Sequence, residues 1–237
     1  ASIMDGTSRL FGACTNVTKV KNPVSLARVV CDKQRNLLTL GRIPPMIVSS
    51  YGAEQYAKEA RVELVENESD LISKKALKCY KMHKKTVKRY EEIQQINLSA
   101  LDTVGAVCVD SKGNITAGCS SGGLILKISG RIGQAATYGA GCWASKYSNI
   151  SIATCTTGNG EYLMKTMLAK QIVDDLQTCE CPISSLNNTF KRHFIESPYL
   201  CGLNEVYGGA LTITYDSDAK IGDLLCCLLY TSDAADE

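Results

Sequence analysis

Leu101-Asp102-Thr103-Val104-Gly105-Ala106-Val107-Cys108-Val109-Asp110 is the stretch at which the chain changes character. Before it, from 63 to 101, the sequence is polar, charged and free of Gly and Pro. Only patchy amphipathicity runs through that segment, which predicts a long, partly helical insert rather than core. After it, Thr103–Asp110 reads as a strand from its run of small and β-branched apolar residues. Ser111-Lys112-Gly113-Asn114 follows as a turn, and Ile115–Ser121 returns as the second strand of a hairpin. A Gly-rich stretch then runs from Gly122 to Gly141.

Downstream, Ile150–Thr156 predicts another apolar strand, leading into Thr157-Gly158-Asn159-Gly160. Leu163, Met164, Met167, Leu168, Ile172 and Leu176 recur at helical spacing, so one helix is expected over Glu161–Leu176. Ser185–Phe194 predicts a further helix, and Gly208–Tyr215 with Ile221–Leu225 a second hairpin around Asp216-Ser217-Asp218. Upstream, Phe11–Val17 reads as a strand. Asn22-Pro23 opens a helix, with Asn as the cap and Pro at the first helical position. Gly41-Arg42-Ile43-Pro44-Pro45 is a rigid loop, and a second helix is expected from about Gly52. Strands clustered among flanking helices predict a layered α/β sandwich.

The 237 residues are 45% hydrophobic and 21% charged, a globular composition that suits one domain of ordinary size or at most two small ones. Collagen-like, low-complexity and wholly disordered chains are excluded. No apolar run approaches the ~20 residues of a membrane span, so no membrane partner is expected. The start, Ala1 to Gly6, has neither a basic nor an apolar region of a signal peptide and lacks an initiator Met. The chain is therefore expected to begin partway through a longer protein. At the other end, 227–237 resembles a translated sequencing adapter and is set aside as an expected artefact, leaving 1–226 as a single domain.

Charge is uneven. The net charge is +2, yet Leu71–Gln95 carries eight basic residues against two acidic ones, +6 in all, which leaves −4 elsewhere. Such a block suits a solvated helix face, a nuclear-import signal or a nucleic-acid contact. With only Tyr80 and Tyr90 interleaved, a stacking platform is poorly supported, and no direct nucleic-acid partner is expected. Twelve Cys without a secretory signal suit a reducing compartment. Cys179-Glu180-Cys181 and Cys226-Cys227 do not have zinc spacing, and His83 and His193 sit in no ligand pattern. No metal and no cofactor are expected.

Catalysis has to be found without histidine. The phosphate-binding loop and His-Glu-x-x-His are absent. A Thr freed at a chain terminus supplies its own base, because its α-amine titrates at about 8 and can take the hydroxyl proton. That chemistry needs a backbone break before a strand-opening Thr, and Asp102-Thr103 sits at such a junction. Alone, a Thr there is more often structural. So too, alone, Ser121 reads as a turn residue, Arg131 as a surface charge and Thr157-Gly158 as a plain strand end.

As a set these stretches resemble the type 2 asparaginases, N-terminal-nucleophile hydrolases. Leu101–Val107, Ser120-Ser121-Gly122-Gly123, Gly130-Arg131-Ile132-Gly133-Gln134, Thr157-Gly158-Asn159-Gly160-Glu161 and Gly208-Gly209 carry the resemblance, with Ala1–Gly6 and Lys21-Asn22-Pro23-Val24 matching the family's α-subunit. Gly41–Pro45 and the basic insert resemble the threonine-aspartase branch rather than the small-molecule asparaginases. The resemblance implies a four-layer αββα sandwich, here truncated at both ends. It divides the domain into an α-subunit part, 1–102 with the insert at about 63–102, and a β-subunit part, 103–226. It implies autocleavage between Asp102 and Thr103, and Thr103 as the nucleophile. Ser121 would support the nucleophile, Thr157 and Gly158 would form the oxyanion hole, and Arg131 would grip a substrate carboxylate.

Gln134 departs from the asparaginase pattern, which has Asp there to pair with a free amino acid's ammonium. A protease cutting after an internal Asp meets that nitrogen as a neutral amide, and a buried carboxylate would then lack its cation. Together Arg131 and Gln134 read as an endopeptidase cutting after Asp. By resemblance, its protein substrates are nuclear regulators and its place is the nucleus and cytoplasm. The cleaved protein is expected to be an α/β heterodimer, doubled by a two-fold. Two alternatives stay open: an asparaginase or isoaspartyl peptidase, and a non-catalytic nuclear binding module. With strands expected both before Ala1 and beyond Leu225, the chain as written is expected to mature poorly.

Overall fold

The computed structural model describes residues 1–90, 102–203 and 205–232. Strand β1 (Ser2–Asp5) pairs antiparallel with β2 (Leu10–Thr15) across a turn tied by Asp5, whose carboxylate accepts from the N–H groups of Thr7 (3.0 Å) and Ser8 (3.3 Å). Helix α1 (Pro23–Lys33) starts where its cap predicts: the Asn22 side chain accepts from the Ser25 N–H at 3.2 Å, with Pro23 at the first position. Its buried face, Leu26, Ala27, Val30 and Cys31, lies against β2. Strand β3 (Ile47–Ser49) lies parallel to β2 and runs into α2 (Ser50–Glu59), whose Ala53 and Ala57 complete a small core with Leu26 and Val30.

Part of the expected insert is a helix, α3 (Lys74–Tyr90), opened by the Ser73 hydroxyl accepting from the Ala76 N–H at 3.1 Å. Its apolar residues stay exposed, Leu77 and Met82 among them, so local terms hold it. Lys84 lies 5.8 Å from the Tyr80 ring one turn away, and Lys88 and Arg89 complement the dipole at the last turn. The remainder of the insert, 91–101, lies outside the described residues.

Strands β4 (Val104–Val109) and β5 (Ile115–Ser120) form the expected hairpin, registered from Val104↔Ser120 to Val109↔Ile115. The turn holds that register: the Asp110 carboxylate accepts from the N–H groups of Lys112 and Asn114, each at 2.8 Å. Because β5 also pairs with β1, a five-stranded sheet results, ordered β3-β2-β1-β5-β4. Strands β6 (Cys142–Tyr147), β7 (Ile150–Gly158), β8 (Glu205–Asp216) and β9 (Ile221–Ser232) form a second, antiparallel sheet in chain order.

The two sheets face one another. Every second residue of β5 is buried, Ile115, Ala117 and Cys119, and these share one core with Cys142, Ala144, Ile152 and Cys155 of the other sheet. Burial pushes the Cys142 thiol up to about 12, so it behaves as a small apolar residue there. Outside the second sheet lie α4 (Gly160–Thr166), α5 (Leu168–Leu176) and α6 (Pro182–Thr189), with Leu168, Ile172 and Val173 of α5 fully buried. Counted from α1, the layers run helix, sheet, sheet, helix. That is the sandwich the sequence resemblance implies.

Three details differ from expectation. The single helix over Glu161–Leu176 is two, separated at Met167, which takes the left-handed conformation at φ 48° and is 39% exposed. Apolar spacing continues through both halves, so the pattern does not disclose a one-residue break. The helix expected over Ser185–Phe194 starts earlier, at Pro182, and after Thr189 loosens into a wide turn, Phe190–Ile195. Strand β9 continues past position 226 without interrupting its pairing to β8, and 233–237 lie outside the described residues. Among the described residues no helix is long and apolar enough to cross a membrane.

Candidate active site

The β4–β5 register, carried one step beyond its last pair, brings Thr103 opposite Ser121. The Thr103 hydroxyl donates to Ser121 Oγ at 3.3 Å, and Ser121 Oγ donates in turn to Asp102 Oδ1 at 2.8 Å. Two backbone groups fix this chain: the Gly122 N–H donates to Asp102 Oδ2 at 3.1 Å, and the Gly123 N–H to Ser121 Oγ at 3.0 Å. Nucleophile candidate, helper hydroxyl and the carboxylate of the residue before the expected cut thus form one continuous hydrogen-bonded line.

The Gly-rich loop delivers the other side. Gln134 begins a short turn, is only 4% exposed, and donates from Nε2 to Thr103 Oγ1 at 3.3 Å. Expected to face the substrate, Gln134 touches the nucleophile candidate itself in the uncleaved chain. Arg131, three residues earlier, has a largely buried side chain, 15% exposed, and makes a bidentate pair with Glu161: Nε to Oε1 and Nη2 to Oε2, both at 2.6 Å. That bond from Arg131 holds the Glu161 carboxyl below the usual range, outweighing the opposing effect of burial.

Strand β7 closes the pocket with its last residue. Gly158 has φ +138°, and a Cβ there would come within 2.4 Å of the Tyr207 carbonyl oxygen, so only glycine fits. The chain then enters α4, capped by the Asn159 side chain accepting from the Glu161 N–H at 3.2 Å. At Gly160 a Cβ would approach Gln134 Oε1 to 2.7 Å and Arg131 Nη2 to 3.1 Å, so the helix start lies directly on both residues.

Between these pieces lies a cavity of about 20 Å³, room for roughly one water. Asp102, Thr103, Ser121, Arg131, Gln134 and Gly158 all line it. Thr157 does not: its methyl lies beside Gly209 of β8, where an added Cβ would be 3.4 Å from Cγ2. A larger cleft of about 420 Å³ shares Ser121, Arg131 and Gln134 and extends to Asn16, Lys21 and Lys127. Sequence reasoning assigned no role to Glu161, although it ends a quoted motif. A Glu in the first turn of a helix is accounted for by the dipole alone, which hides a partner thirty residues away. Among the described residues, no three His, Cys, Asp or Glu side chains converge on a point that could hold a metal ion.

The family model described as "Asparaginase" (Asparaginase_2) matches residues 1–203, which contain every one of these side chains. The chain belongs to this asparaginase family. Its members are N-terminal-nucleophile hydrolases. A "Probable isoaspartyl peptidase/L-asparaginase 2" of Arabidopsis thaliana is 37% identical over 192 residues, covering 73% of this chain and 55% of the relative. An "Isoaspartyl peptidase/L-asparaginase" of Xenopus laevis is 34% identical over 182 residues, covering 77% and 53%. An "Isoaspartyl peptidase" of Escherichia coli (strain K12) is 32% identical over 174 residues, covering 73% and 50%. This asparaginase-family chain spans about half the length of the relatives it matches.

Proposed function

We propose that the protein is an autoprocessing hydrolase that breaks amide bonds at aspartyl carbonyls, with Thr103 as its nucleophile. One observation carries the reading: the Thr103 hydroxyl, the Ser121 hydroxyl and the Asp102 carboxylate lie in a single line of hydrogen bonds. In self-cleavage Thr103 Oγ1 attacks the carbonyl carbon of Asp102. Its proton passes to Ser121, whose own proton passes to Asp102 Oδ1. The backbone nitrogen of Thr103 takes that proton from Asp102 and leaves as an amine, and water then hydrolyses the ester. In turnover that free α-amine takes the hydroxyl proton, Arg131 holds a substrate carboxylate, and the Gly158 N–H receives the oxyanion.

The relatives' names support isoaspartyl peptides and asparagine as substrates. A second reading, a threonine aspartase cutting proteins after Asp, is favoured by Gln134. Asparagine and isoaspartyl peptides carry an ammonium, and Asp102 is the one carboxylate among the residues lining the small cavity. Gln134, buried and uncharged, offers that ammonium no counter-ion, whereas it suits the neutral amide of a peptide bond. Protein substrates of this kind, nuclear regulators included, belong to the second reading alone.

The test uses the intact protein, with mass-spectrometric identification of a new N-terminus at Thr103. It is then assayed on L-asparagine, an isoaspartyl dipeptide and an Asp-Gly peptide. Aspartate release from the first two supports the first reading, and cleavage of the Asp-Gly bond alone supports the second. A mature protein inert towards all three leaves only a binding role.

A further inference from the structure

We infer that Glu161 is a positioning residue that locks the Arg131 guanidinium edge-on, so that its opposite edge presents a ready fork to the substrate carboxylate. The inference rests on the reading of Arg131 as the carboxylate grip. A guanidinium has five N–H donors in one plane. Glu161 occupies the side edge, Nε and one hydrogen of Nη2, with both contacts at 2.6 Å. The end edge, Nη1 with the second hydrogen of Nη2, is left for another carboxylate. Nη1 is the guanidinium atom nearest the Cβ positions of Gly123 and Gly133, at 3.5 and 3.3 Å, and Gly123 lines the small cavity. The free edge therefore faces the side on which a substrate would enter.

Glu161 is in turn held by its own backbone. Its N–H is tied to the Asn159 cap at the start of α4, so the carboxylate is anchored to the second sheet. Arg131 itself sits in an irregular loop between Gly130 and Gly133. A long Arg side chain loses rotamer freedom when it grips a ligand, and fixing it beforehand removes that cost from substrate binding. Nothing comparable operates in self-cleavage: the Asp102 carboxylate is bound by Ser121 and Gly122, not by Arg131.

That separation gives the test. In the intact protein, Glu161→Gln and Glu161→Ala are compared with Arg131→Ala. Self-cleavage is followed on gels, and kcat and KM are measured on whichever of L-asparagine, the isoaspartyl dipeptide and the Asp-Gly peptide the protein turns over. Both Glu161 variants are expected to self-cleave at the original rate and to raise KM about tenfold, with kcat within twofold. If KM rises in Arg131→Ala but not in the Glu161 variants, the inference falls while the carboxylate-grip reading stands. If Arg131→Ala leaves KM unmoved, that reading fails and takes the inference with it. Equal losses in self-cleavage and turnover in both Glu161 variants would mark Glu161 as a purely structural contact and overturn the inference.

Discussion

Asp102 lies in the pocket of Thr103, and Glu161 lies one guanidinium behind it, yet the two carboxylates are held in opposite ways. Asp102 accepts from a hydroxyl and a backbone N–H, both neutral donors, and the hydroxyl is itself bonded to the nucleophile candidate. Glu161 accepts two bonds from a cation that never gives up its proton under ordinary conditions. The first arrangement can move a proton along its length. The second can only fix charge and geometry. On the proposed reading, one sheet thus supplies the half of the site that breaks a bond, and the loop with α4 supplies the half that recognises an acid.

The largest expected effect silences both halves. Thr103→Ala removes the one atom they share, so the intact protein should stay a single chain on a denaturing gel. Turnover should fall by about 10⁴-fold or more, the scale on which nucleophile loss acts elsewhere. Any new N-terminus at position 103 in that variant would break the comparison at its centre.

Ser121→Ala separates the halves. It cuts the path from Thr103 to Asp102 and leaves the Arg131–Glu161 pair untouched. Self-cleavage should slow about a hundredfold, within the usual range for losing a positioned proton-transfer group. A quench-flow or gel time course reads this directly. Self-cleavage at the original rate would mean that the Asp102 carboxylate takes no part in moving the proton.

The two halves were also unequally legible. That Thr103 lies opposite Ser121 follows from a hairpin whose turn residues, Asp110 to Asn114, fix the register, although the role of Ser121 came from resemblance. Arg131 and Gln134 lie in a loop without periodicity, and only resemblance singled them out. Their structural partners, Glu161 and the Thr103 hydroxyl, are about thirty residues away, a distance that no local pattern spans. The same limit explains the fold. Helix α1 announced its start through Asn22 and Pro23, while β1 and β3, four and three residues long, gave no pattern long enough to read, and β6 was missed directly after the Gly-rich stretch. Met167 was misread because left-handed geometry leaves no trace in apolar spacing. Thr157 was grouped with Gly158 by resemblance, and only Gly158 lines the cavity.

The smallest expected effect calibrates the rest, because it loosens the fold without entering either half. Asp5 pairs with Thr116, at the end of β5 remote from Ser121. Its carboxylate accepts from the N–H groups of Thr7 and Ser8 and from the Ser8 hydroxyl at 2.8 Å, and it meets Arg35 at 3.0 Å just beyond α1. Burial alone would raise its pKa, but the Ser8 bonds, then Thr7 and Arg35, outweigh it and hold the carboxyl below 3.8. A lowered pKa means that the ionised form stabilises the fold: the contribution is complete above about 3.8 and disappears as pH falls through the lower folded value. Asp5→Asn should cost about 1–2 kcal/mol at neutral pH and lower Tm by about 2–6 °C. Once pH has fallen below that lowered value, the variant and the parent should converge. Self-cleavage rate and KM at 25 °C should both stay put, since this carboxylate reaches neither Thr103 nor Arg131. If Asp5→Asn instead changes one of them alone, the sheet transmits strain from its far end into that half, and the two halves are not independent.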